Sequence, residues 1–74
     1  MRLTNPEAKV LYRAATYGSI DGKSLCETLP QHNIVAPAQY QNAINCLGTL
    51  KGNSRDLALV RACDALIARF EEAP

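Results

Sequence analysis

Apolar residues recur along this chain at the three-and-four spacing of helices, and no stretch alternates as a half-buried strand does. Four helices are predicted, near residues 6–17, 22–29, 37–51 and 55–71. Asn5-Pro6-Glu7 introduces the first: an Asn cap, a proline where its missing N–H costs nothing, and an acid at the positive end of the helix dipole. Val10, Leu11, Ala14 and Ala15 give its apolar side, and Gly18 can take the left-handed conformation that closes a helix. The second starts at Asp21, whose carboxylate can accept from the Ser24 amide, with Ile20 and Leu25 at the spacing of a hydrophobic staple. Leu25, Cys26 and Leu29 form its short apolar face, and Pro30 stops it.

Residues 30–36 read as an unpatterned connector. Pro37 opens the third helix, where Tyr40, Ala43, Ile44, Leu47 and Leu50 share a side and Gly52 ends the run. Gly48 weakens that helix by about 1 kcal/mol relative to Ala. The fourth begins at Ser54-Arg55-Asp56, with Ser54 as its cap. Its stripe of Leu59, Val60, Cys63, Leu66, Ile67 and Phe70, widened by Ala62, exceeds the roughly 100° a surface helix needs. A helix of this kind is either the centre of a bundle or half of an oligomer contact, and a homodimer through 55–71 is expected. The fold expected is all-α: a compact bundle of four short helices in a single domain over 1–74. Leu11, Leu25, Ile44, Leu47, Val60, Cys63 and Ile67 are the expected core.

The 74 residues permit one domain, small enough that its core supplies little net stability. With 47% hydrophobic residues and a net charge of +1, the chain is neither disordered nor a strongly basic nucleic-acid coat nor an acidic mimic of DNA. Met1–Pro6 precedes no apolar run, and no stretch approaches the about 20 apolar residues of a membrane span. Three cysteines, an odd count, do not make a disulfide framework. A cytoplasmic protein with its thiols as small buried hydrophobes is expected.

Catalytic chemistry finds little support. Gly18-Ser19-Ile20-Asp21-Gly22-Lys23-Ser24 is one residue short of a phosphate-binding loop between its glycines, no strand precedes it, and Asp21 would face the phosphates. Cys26, Cys46, Cys63 and His32 lack the close Cys pair of a structural zinc site, since none lies within four residues of another. His32 has no recognisable acid or nucleophile partner. Asp56, Asp64 and Glu72 read as a solvated face, with Arg61–Asp64 and Arg69–Glu72 as ordinary i,i+3 pairs. No metal, no cofactor and no enzymatic activity is expected.

Two patches suggest binding instead. From Thr28 to Leu50 the chain has no charged residue, yet it is rich in amides. Gln39, Gln41, Asn42 and Asn45 fall mostly away from the apolar stripe of the third helix. An uncharged amide face hydrogen-bonds across an interface without stranding a buried charge, although a merely solvated polar face would read the same way. On the first helix, Lys9, Tyr12, Arg13 and Thr16 lie opposite the apolar side. An aromatic between two cations suits a protein hot spot or an anionic ligand, or simply a tyrosine lying over a neighbouring helix.

Three functions follow. The first is a small non-catalytic regulator or inhibitor that occupies a surface on a larger protein; phage-encoded inhibitors, antitoxins and small adaptors are of this size. The second is a helix-turn-helix DNA-binding regulator, with the third helix reading bases through its amides. Its connector is long, and only Lys51 stands ready to neutralise phosphate. The third is an oligomeric binder of an anionic nucleotide around Tyr12, Arg13 and Lys23. Ser54-Arg55-Asp56-Leu57-Ala58-Leu59 and Ala65-Leu66-Ile67-Ala68-Arg69 are faintly similar to the last helix of a phage hairpin family that sequesters cyclic nucleotides. The spacing between these halves is shorter than that family's, and its aromatic N-terminal motif is absent.

Overall fold

The computed structural model describes residues 1–17, 22, 23, 25 and 33–73. Among them are three α-helices: α1 (Asn5–Thr16), α2 (Tyr40–Gly52) and α3 (Leu57–Glu72). A single 3-10 turn, Pro37–Gln39, leads into α2. The fold is thus mostly helical, with three helices among the described residues against the four expected. The second, expected over 22–29, falls largely outside the described residues, as do Gly18, Asp21, Ser24 and Pro30. Gly22, Lys23 and Leu25 are helical, and Leu25 is fully buried.

Two of the three helices, α1 and α3, start where a side chain satisfies their orphan amides. Thr4, not Asn5, caps α1: its hydroxyl accepts from the Glu7 amide at 3.3 Å, and Glu7 Oε1 accepts from the Thr4 amide at 2.9 Å. This reciprocal capping box satisfies two donors at once. Asn5 is released for another partner, Asn33, whose Nδ2 donates to Asn5 Oδ1 at 2.8 Å. Asp56, not Ser54, caps α3, accepting from Ala58 and Leu59 at 2.9 and 3.4 Å. Ser54 accepts from the Asp56 amide instead and shapes the turn. Between α2 and α3, Asn53 closes the first helix, its amide reaching Leu50 and Lys51 carbonyls and its Nδ2 the Thr49 carbonyl.

The end of the connector has more order than its sequence suggests. Leu3 donates to the Asn33 carbonyl at 2.8 Å and Val35 to the Met1 carbonyl at 2.9 Å, an isolated antiparallel bridge between Arg2 and Ile34. It buries Leu3 and Val35 beneath the helices. Asn33 takes a left-handed φ of 55°, which asparagine tolerates better than most residues.

Leu11, Leu25, Leu47 and Cys63 are buried as expected. Ile44, Val60 and Ile67 are only half-buried, because both later helices are turned slightly from the expected phase. On α2 the buried sector is Ala43, Cys46, Leu47 and Leu50; on α3 it is Cys63, Leu66 and Phe70. The Phe70 ring tilts against Tyr40 with centroids 5.3 Å apart. A radius of gyration of 10.8 Å, against about 11 Å for a compact chain of this length, describes a single globule. No helix among the described residues is long and apolar enough to cross a membrane.

Charges join helices rather than run along them. Lys51 of α2 meets Asp64 of α3 at 2.6 Å, and Arg69 of α3 pairs with Glu7 of α1. The expected i,i+3 pairs Arg61–Asp64 and Arg69–Glu72 are not formed, since Asp64 and Arg69 each pair with an opposite charge on the helix packed beside theirs.

Candidate functional site

The two patches take different forms in the structure. On α2 the amides separate into two hydrogen-bonded pairs. Gln41 Nε2 donates to Asn45 Oδ1 at 3.0 Å on the fully exposed face, while Asn42 Nδ2 donates to Gln39 Oε1 at 2.8 Å on the half-buried flank. Only Gln41 and Asn45 therefore present themselves to solvent as an outward amide face. They continue into exposed Gly48, Thr49 and Gly52, and a Cβ at either glycine would meet nothing within 4 Å. The face is neutral, low and flat. The one charge on α2, Lys51, is drawn aside by Asp64, which raises the lysine pKa.

On α1, Lys9, Tyr12, Arg13 and Thr16 do share one side and line a groove of about 510 Å³ together with Ala8. Asn5 and Asn33 close one end of it, joined by their side-chain hydrogen bond. Tyr12 is 45% exposed. Lys23 is exposed but does not line this groove. Asn5 and Asn33 were not singled out as site residues by the sequence. The Thr4-x-x-Glu7 pattern signals that Asn5 is free of capping duty, but nothing local brings Asn33 to it across 28 residues.

Comparison with protein-family models, curated proteins and solved structures returns no match. Function therefore has to be read from residues and geometry.

Among the described residues, no three His, Cys, Asp or Glu side chains gather as metal ligands would. Cys26 and His32 lie outside the described set. Cys46 and Cys63 are thiols, not disulfide-bonded, and are buried in the core. Burial, with the Asp64 charge beside it, pushes the Cys63 thiol up from its ordinary pKa, which keeps it protonated and unreactive.

Proposed function

We propose that the chain is a small non-catalytic regulator or inhibitor that works by occupying a surface on a larger protein. It docks through the outward face of α2 and self-associates through α3 as a homodimer. The observation that carries the reading is the neutrality of the α2 face. Gln41, Asn45, Gly48, Thr49 and Gly52 are all exposed, and the helix's only cation is held by α3. A solvent face normally carries charge. A partner covering this one desolvates no ion, and the two glycines let its backbone approach closely. The DNA-reading alternative draws on the same amides but lacks phosphate neutralisation, because Lys51 is already paired.

Opposite charges at one position test it. Gln41→Glu and Gln41→Lys should leave the fold within about 0.5 kcal/mol, as exposed changes do. Each should weaken a partner captured from bacterial lysate by roughly thirtyfold if the residue lies in the desolvated centre of the contact. Gln41→Lys binding duplex DNA better than the parent, with a steep salt dependence, would favour the DNA reading. Unchanged capture by both variants would reduce the face to solvated surface.

A further inference from the structure

We propose that the groove along α1 is a binding site for a phosphate-bearing aromatic ligand of the nucleotide class, separate from the α2 face. Its volume, about 510 Å³, lies within the range of roughly 300–1,000 Å³ typical of small-ligand sites. Three features converge in it, each suited to a different part of such a ligand.

The first is unspent positive charge. Lys9 and Arg13 stand one helical turn apart, so a single phosphate can reach both. Neither forms an ion pair with a described carboxylate, whereas Lys51 and Arg69 both do. Among the described residues that line the groove there is no carboxylate. The second feature is the Tyr12 ring, placed between the two cations and half-exposed, a platform on which a flat base can stack.

The third is the amide pair at the end. Asn33 holds a left-handed backbone conformation, and its side chain is fixed against Asn5. That bond uses the Asn33 Nδ2 and the Asn5 Oδ1. The Asn5 Nδ2 donors and the Asn33 side-chain Oδ1 take no part in that bond, and a donor and an acceptor together are what the polar edge of a base requires. An acidic peptide would use the cations and leave the ring and the amides without a role. A nucleotide uses all three. The same chemistry is offered by a free nucleotide and by one residue of a single strand.

Amide-resolved NMR titration of the full chain separates these cases, with adenosine monophosphate, adenosine, inorganic phosphate and a short oligo-deoxyadenylate as probes. Adenosine monophosphate should shift the Lys9, Tyr12, Arg13 and Asn33 amides saturably, and bind at least tenfold tighter than phosphate or adenosine alone. Tyr12→Ala and Arg13→Gln should each weaken it about tenfold, and Tyr12→Phe should restore the stacking contribution. Both parent residues are exposed, so circular dichroism should report unchanged helix. An oligonucleotide that binds more tightly at these same residues upholds the site and identifies its source as a strand. The proposal is overturned if phosphate binds as well as the nucleotide, if the shifts fall on α2, or if nothing saturates at millimolar concentration. None of these outcomes depends on whether the α2 face captures a protein.

Discussion

Two glycines in this chain carry opposite meanings that only the packing reveals. A Cβ built on Gly22 would lie 2.7 Å from the Ala15 carbonyl carbon and 2.8 Å from its Cα, so the helical residue Gly22 sits directly against the end of α1. Backbone cannot give way as a long side chain can. Gly22→Ala should therefore destabilise the fold by about 1–3 kcal/mol, the cost of overpacking, despite the better helix propensity of alanine. Gly48→Ala, where nothing lies within 4 Å, should instead gain up to about 1 kcal/mol. Urea midpoints of the two variants read the contrast, and a neutral Gly22→Ala would contradict the close approach. The sequence offers Gly22 only as part of a Gly-Lys-Ser helix start. The caps show a similar limit: Thr4 and Asn5 are both competent, as are Ser54 and Asp56. The choice falls to the residue whose neighbour has other work, Asn5 bonding Asn33 and Ser54 shaping the turn.

At the level of helices, period was legible and phase was not. Apolar spacing locates α1, α2 and α3 with ends no more than three residues off, because the 3.6-residue repeat survives any packing arrangement. It cannot decide whether Ile44 or Cys46 faces inward, since both border the same apolar side. That depends on α3, which turns Cys63, Leu66 and Phe70 to the core and leaves Val60 and Ile67 at its edge. The groove divides the same way: Lys9, Tyr12 and Arg13 could be read from one helix, whereas Asn33 arrives through the bridge between residues 2 and 34. The interhelical ion pairs were equally out of reach, and one has a consequence in acid. The Arg69 guanidinium, aided by the Thr4 amide, holds the Glu7 carboxyl below its ordinary value near 4.5 despite partial burial. A depressed folded value means that the pair's contribution is complete above the ordinary value and is lost as pH falls through the depressed one. Arg69→Gln should lower Tm at neutral pH, and its curve should converge on the parent's as both are acidified. Parallel curves down to about pH 2, below the carboxylate range, would show that the α1–α3 pair contributes nothing to folding.

For the whole molecule, the question is what covers α3. Its core side is filled by Cys63, Leu66 and Phe70, yet Ala58, Ala65 and Ala68 are exposed and Leu57 is 69% so. Beside them, Pro6, Val10, Ala62, Ala65 and Leu66 line a mostly apolar hollow of about 170 Å³ between α1 and α3, with Glu7 at its edge. In the proposed homodimer, the exposed leucine of α3 and the hollow between α1 and α3 would be self-complementary: under a two-fold axis, each copy's Leu57 would enter the other's hollow. The alanines let the two helices approach closely, and a 74-residue chain gains proportionally more than a large one from the extra burial. Light scattering should give twice the 8.0 kDa chain mass at high concentration and fall toward the single mass on dilution. Leu57→Ser should hold the protein at the single mass with its helix content intact, since Leu57 contributes little to the core of its own chain. Ala65→Glu, at the rim of the hollow, should do the same by placing a charge where the partner's leucine enters. A parent chain that stays at 8.0 kDa at every concentration would leave Leu57 and the hollow as unrelated features of a monomer's surface.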